Sequence, residues 1–363
     1  GGSRITLTFA SDFVGQAWTL SGGGETYTGT VDSSLTATVS VLGIGTTYTL
    51  SAAIGGVTYT AEVTTKDYYT ALEVTLYNSH VCWDTSNSST ALTRLTRSTD
   101  PYGLVTISVA TEPKPAVGTG AGSSPFDAFL PWSGMKECNL NNAGAVTAWK
   151  GDSGFSRSNN FTMVFIPEFY VAAKRNGTKQ YFYVSDKPKT GMTKHPGSGK
   201  YVGRYTIPGS KSGVTSTVNI TCTTARSNAK KNGDKWHLYD FATYCAIIWL
   251  YLIEFADWNC QITIGAGVTK SEYSGPVRNG MTDTMIYHTG NSTAGSIECA
   301  VQYRWVENLL GNVSQWVDGF NADGTTAYYC TDPSKYADDT TTGYTKIGTL
   351  PASGWIKDLT VTD

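Results

Sequence analysis

Polar and apolar residues alternate in short runs along the first 65 positions: RITLTF (4–9), TATVSV (36–41), TYTLSAAI (47–54) and VTYTAEVTT (57–65). A period of two sends one row of side chains into a core and the other into water, so these runs predict strands. Gly-, Asp- and Ser-rich turns separate them. GGG at 22–24 and GIG at 43–45 are expected to be turns that need positive φ rather than phosphate loops, because no helical pattern follows either.

Residues 1–66 are therefore expected to form an immunoglobulin-like β-sandwich whose core, without a cysteine, stands on packing alone. The pattern then weakens. Residues 67–122 are expected to be a connector, ending in ATEPKPAVGTGAGSSP and carrying the first strands of the next domain around ALEVTLYNSHVCWD. The second domain is expected over 123–363. It has strands such as FTMVFIPEFYVAAKR and KQYFYVSD, divided by the hairpin signal NGT, with Phe161, Met163 and Phe165 on one apolar face. YDFATYCAIIWLYLIEFADWNCQ breaks the alternation. Cys245, Ile248, Trp249, Leu252, Phe255 and Ala256 recur three and four apart, which predicts a helix over 240–260 with Asp240 as N-cap. Ile247, Leu250 and Tyr251 widen its buried stripe, and Glu254 and Asp257 are expected on its wetter side. About thirty Gly-, Ser-, Thr- and Asn-rich residues follow, a length of loop that is usually functional or disordered. Beyond it Val301 to Glu307 alternates as a strand, NLLGN turns the chain at Gly311, and VSQWVDG is expected to be a second strand with Trp305 and Trp316 as core wedges. The amides of Asn308, Asn312 and Gln315 suit backbone groups at a buried turn.

Charge narrows the partners. Charged residues make up 15% of the 363, the formal net charge is −2, and there is no basic cluster beyond pairs such as Lys230-Lys231. That density offers no footprint for a phosphate backbone, so nucleic acid is not an expected partner. The longest apolar run, AIIWLYLI (246–253), is far below the ~20 residues of a membrane span, so no membrane insertion is expected. The seven cysteines show no CxxC spacing, and their pairing is left open.

The stretch ENLLGNVSQWVDG (307–319) resembles the G-N-V-W-E-W-x-x-D signature of formylglycine-generating-enzyme-like domains, a variant of the C-type lectin fold. It is still more similar to the E-N-x-x-G-N-x-x-Q-W-V-D-G form of phage tail and surface proteins, some of them diversified by retroelements. SSPFDAFLPWSGMKECNL, GDSGFSR, FIPEFY, YFYVSDKPKTGMTKHP, LYLIEFADWNCQITIGAGV and YCTDPSKYADDT agree in the same order, so the resemblance covers about residues 78 to 358. It implies an α+β chain, a C-type-lectin-like domain preceded by the all-β immunoglobulin-like sandwich. Trp305, Glu307, Asn308, Gly311, Asn312, Trp316 and Asp318 would be its structural motif. Ser314 and Gln315 depart from the enzyme-like signature, which has Trp and Glu there. The oxidases need two reactive cysteines downstream, where this chain has Cys330 alone.

Other chemistry is thinly supported. His80, His195, His237 and His288 lie far apart, there is no G-x-S-x-G elbow, and neither Asp338-Asp339 nor Glu254 with Asp257 is placed as a glycosidase pair by the sequence. No catalytic residue, metal or cofactor is expected; a structural calcium ion, if used, would sit near Asn312 or Asp318. Binding candidates are the loop residues Tyr273, Arg278, Asp283, Tyr287, His288, Tyr328, Tyr329 and Tyr344, since tyrosine among Ser, Gly and Asn makes adaptable contact surfaces. The competing reading is their partial burial under a neighbouring loop. The expected function is non-enzymatic: an exposed virion protein whose loops recognise a bacterial cell-surface protein or glycan. The alternatives are a purely structural decoration or tail-assembly module, an oxidase, or a bacterial surface adhesin. Other virion proteins are the remaining expected partners, and the family resemblance suggests a homotrimer. Trp316→Ala is expected to unfold the second domain and Tyr287→Ala to leave it folded.

Overall fold

A computed structural model describes residues 3–41, 46–64, 71–75, 79–84, 86, 88–105, 109, 111–206, 209–269, 275–293 and 299–350. They are mostly β-sheet with few helices. Two compact units cut across the three spans expected from the sequence: Gly1–Thr85 with Thr93–Ala110 and Ala173–Ser185, and Ser86–Leu92 with Thr111–Ala172 and Asp186–Asp363.

In the first unit Glu25–Thr30, Ala17–Gly22, Thr47–Ile54 and Val57–Thr64 form a four-stranded antiparallel sheet in that order. The predicted alternation is what buries it. Trp18 faces Ala52 and Leu20 faces Leu50 across the strands, all four buried, while the intervening threonines and serines stay nearer water. Gly23-Gly24 and Gly55-Gly56 occupy the two-residue turns with φ of 58 and 81°, and 57 and 82°, a pair of left-handed positions that residues with a Cβ rarely fill. The GIG at 43–45 lies outside the described residues. A second sheet places Ser3–Thr8 between antiparallel Thr36–Val41 and parallel Ala71–Thr75. That last strand was expected to open the second domain, as was Ser79–Asp84, which pairs with Lys179–Ser185. Both belong to the first unit.

In the second unit Val146–Trp149, Lys136–Leu140, Thr162–Ile166 and Lys200–Gly203 form an antiparallel sheet. The expected single apolar face at 161–165 is instead buried on both sides: Thr162 and Val164 are as inaccessible as Met163. Helix α1 spans Cys222–Lys230, α2 Phe241–Phe255 and α3 Cys260–Thr263. Asp240 caps α2, its carboxylate accepting from the Thr243 amide at 2.7 Å, and Ala256 ends it at φ 51° in the left-handed conformation. Ala246, Leu250 and Ile253 are fully buried and form the helix's inner face. Glu254 is buried with them, not on the wetter side; its ion pair, described below, is what permits it. Among the described residues no helix is long and apolar enough to cross a membrane.

Two further small sheets complete this unit. One runs Ala116–Val117, Gly290–Asn291, Val301–Tyr303, Val306–Glu307, the other Phe320–Asp323, Thr326–Tyr329, Thr345–Thr349. The expected strand over 301–307 is thus a tight hairpin, with Arg304 and Trp305 as its turn. VSQWVDG forms no strand, and left-handed residues at Asn308, Gly311 and Asn312 turn the chain just before it.

Candidate functional site

The 301–307 hairpin carries the polar interior of the second unit. Its turn residues have φ of 46° at Arg304 and 73° at Trp305, positions that disfavour a Cβ by roughly 1–2 kcal/mol each. Partners hold them there: the Arg304 amide donates to Thr289 Oγ1 at 3.1 Å and the Trp305 amide to the His288 carbonyl at 2.9 Å.

Two buried ionic networks start from this turn. Arg304 forks onto Glu254, Nε to Oε2 at 2.9 Å and Nη2 to Oε1 at 2.6 Å, and reaches Asp127 at 2.9 Å. Tyr303 and Ser124 donate their hydroxyls to the same Glu254 carboxylate at 2.9 and 2.7 Å. Burial opposes charge on Arg304, but Glu254 outweighs it and keeps the guanidinium protonated. In the second network Arg204, fully buried, pairs with Glu137 at 2.8 Å and Asp283 at 3.2 Å and also donates to Gln302 and to the Trp305 carbonyl. Arg157 and Lys150 join Glu137 at 2.9 and 3.2 Å. Glu307 accepts from the Gly280 and Thr282 amides at 2.8 and 2.9 Å. Lys150 lies 3.0 Å from the centre of the Trp305 ring, and burial lowers its pKa to about 8 against the pull of Glu137. Trp305 is therefore a half-buried cation platform.

These networks absorb three of the residues expected to bind, Asp283, Tyr287 and His288. Asp283 accepts from Arg204, Tyr205 and Ser212. Tyr287 and His288 both hold Asp127, each at 2.8 Å. Burial would raise the Asp127 carboxyl, but the His288 hydrogen bond and the Arg304 charge hold it at about 2. Arg278 is exposed yet clamps the Gly213 carbonyl, its Nε at 2.9 Å. Tyr328 and Tyr329 lie half-buried in their strand opposite Asn321 and Phe320, Tyr344 is half-buried nearby in sequence, and Tyr273 lies outside the described residues. No common site gathers the described seven.

The motif residues divide differently. Gly311 is needed where it stands: at φ 73° a Cβ would come 2.6 Å from the amide nitrogen of Val268, with which it forms an isolated bridge. Asn312 accepts from the Val277 amide at 2.9 Å, and Gln315 donates to the Asn308 carbonyl at 2.9 Å, the backbone service expected of amides. Asn308 itself differs, its Nδ2 reaching only Glu307 at 3.4 Å. Asp318 is gripped through Arg226 Nε at 2.9 and 3.1 Å, so its carboxylate serves an ion pair. Trp316 is not a core wedge: its side of the chain is free of strand alternation, and the residue is 52% exposed.

Trp316 instead lines a cavity of about 860 Å³, within the roughly 300–1,000 Å³ range of pockets that bury a drug-sized ligand. Glu307 and Asn312 also line it, as do Phe161, Tyr201, Trp236 and Asp240. None of the described loop candidates does. Both indoles are locked by their N–H groups, Trp316 to the Ile220 carbonyl at 2.9 Å and Trp236 to the Asn142 carbonyl at 2.8 Å. Phe161 backs Trp236 with ring centres 4.2 Å apart. The sequence reading passed over this site because its walls come from segments 155 residues apart, which no local pattern joins. A chain neighbourhood rich in Trp, Tyr and His, KWHLYD at 235–240, was the one available signal. No protein-family model, curated protein or solved structure matches the chain.

Proposed function

We propose that the chain is a non-enzymatic recognition protein of a virion, displayed to bacteria, and that it holds a cell-surface ligand in the cavity beside Trp316. The observation that carries this reading is that cavity, of about 860 Å³, with a half-exposed indole fixed at its edge. An exposed tryptophan held by a backbone hydrogen bond presents contact area with little entropy left to lose, a property shared by binding hot spots. The buried Arg–Glu networks support a division of labour in which the hairpin gives rigidity and the cavity wall gives contact.

The finer fold reading belongs to the same proposal. The first unit's two sheets support an immunoglobulin-like module. The second unit's irregular strands, single long helix and the ENLLGNVSQWVDG stretch support a C-type-lectin-like domain of the phage tail and surface type. The site would act by shape and stacking, without covalent chemistry.

The test is retention on cells. Labelled protein incubated with a panel of bacterial strains is expected to be retained on some of them, and Trp316→Ala to weaken retention about tenfold while its melting temperature changes little. Failure to bind any strain, together with self-assembly or assembly onto other virion proteins, would instead make the chain a structural virion part.

A further inference from the structure

The chemistry of the cavity wall narrows the ligand, an inference that rests on the recognition reading above. Two kinds of surface are free there. Trp316 and Val218 are exposed apolar groups, 52% and 39% accessible. Thr217, Asn219 and Ser314 are exposed neutral hydroxyls and amides next to them in sequence and on the same cavity, with Gln315, whose Nε2 is held by the Asn308 carbonyl, beside them.

The charges, by contrast, are engaged. Asp240 is fully buried, and its carboxylate accepts from the Thr243 amide, Lys200 and Tyr336. Glu307 is bonded by Gly280 and Thr282, as described. His237 turns Nδ1 to the Leu238 carbonyl at 2.8 Å. Among the described lining residues Lys235 is the one exposed charge. A lining so balanced offers no counter-charge array for an acidic ligand and no free carboxylate pair for a basic one. It matches a molecule that alternates apolar C–H faces with neutral hydroxyls, and is long enough to extend along a cavity this size.

We infer that the cavity binds a neutral carbohydrate, a short oligosaccharide segment whose pyranose face stacks on Trp316 while its hydroxyls pair with Thr217, Asn219, Ser314 and Gln315. The wall's two carboxylates are saturated by protein donors, so binding requires no bridging cation.

The test titrates the intact chain with defined neutral oligosaccharides (maltotriose, cellotriose, triacetylchitotriose, mannotriose) and with acidic trigalacturonate, EDTA present throughout, by calorimetry and tryptophan fluorescence. At least one neutral sugar is expected to bind and to quench fluorescence. Affinity should fall about tenfold in Trp316→Ala and should be largely retained in Trp316→Phe, which keeps a flat ring. Binding confined to the acidic sugar, binding that appears only when calcium replaces the EDTA, or equal affinity in Trp316→Ala overturns the inference. So does failure of every sugar; if cells still retain the chain through Trp316 in that case, recognition stands and the ligand class falls. If neither cells nor sugars bind, both fall.

Discussion

Replacing Glu254 with leucine tests whether the hairpin's ion pairs hold the second unit. Glu254 is fully inaccessible and Arg304 is 2% exposed, with the fork between them at 2.6 and 2.9 Å. Leucine suits the helix and the surrounding Ala246, Leu250 and Ile253, so the change removes charge while keeping volume. As a counter-charge Arg304 would keep the partly exposed Asp127 at 2.9 Å, beside the neutral Trp132 carbonyl at 3.3 Å, and the hydroxyls of Tyr303 and Ser124 would lose their acceptor. Breaking a buried pair by removing one partner costs about 3–5 kcal/mol, mostly from the charge left behind. Adding Arg304→Met removes that charge, and exchanging a whole buried pair for apolar side chains is often close to neutral. The two stranded hydroxyls remain, so the double variant should lie about 1–3 kcal/mol below wild type. The assay is urea unfolding followed by tryptophan fluorescence, which reports chiefly the second unit because Trp132, Trp149, Trp236, Trp249, Trp258, Trp305 and Trp316 all lie there. A favourable coupling of about 2 kcal/mol or more between the two changes is expected. Glu254→Leu within about 1 kcal/mol of wild type, or a double variant no better than the sum of the singles, would refute the reasoning.

Three further outcomes follow from the same packing. Tyr287→Ala is expected to destabilise by about 2 kcal/mol, since its ring fills the space beside Gly122 and its hydroxyl holds Asp127, whereas Trp316→Ala should stay within about 1 kcal/mol; thermal melts of the two variants decide, and the order is the reverse of that expected from the sequence. Gly290→Ala should destabilise by about 2 kcal/mol or more, because at φ 143° its Cβ would lie 1.9 Å from the Ala116 carbonyl oxygen and break the strand pairing there, measured as loss of protection of the Ala116 and Gly118 amides, which donate to the Thr289 and Asn291 carbonyls. Acid should weaken the second unit through His195. Burial, aided by Lys200 and opposed by Asp240, lowers its pKa to about 4, and its Nδ1 accepts from the Gly197 amide at 3.1 Å, so the native ring is neutral. A depressed folded-state pKa means that the unfolded chain binds the proton first. The stabilisation is complete above the unfolded value of about 6.5 and is lost as pH falls towards 4. His195→Gln should flatten that limb in denaturation midpoints measured between these pH values; an unchanged slope would remove His195 as its source.

Local features were legible in the chain itself. The alternating runs became the sheet of the first unit, Gly23-Gly24 became a turn at positive φ, and the three-and-four spacing with Asp240 gave helix α2 and its cap. Each rests on residues within a turn or a strand of one another, where period, propensity and capping act. The same reasoning placed Gly311 at a turn and assigned amide service to Asn312 and Gln315. It misplaced Glu254 and Trp316, and took Tyr328 and Tyr329 for loop residues where they form a strand, for one reason. A charged residue tolerates the interior only when its partner is present, and Arg304 stands 50 residues from Glu254 in the chain. A tryptophan's burial depends on which way the backbone turns before it, and three left-handed residues at 308, 311 and 312 set the course of the chain toward Trp316. The cavity depends on both, because segments as distant as Phe161 and Trp316 share its wall. Sequence alone thus determined which segments are extended, helical or turning. Tertiary structure decided which charges are paired and which rings face water, since desolvation and pairing are settled between residues far apart in the chain.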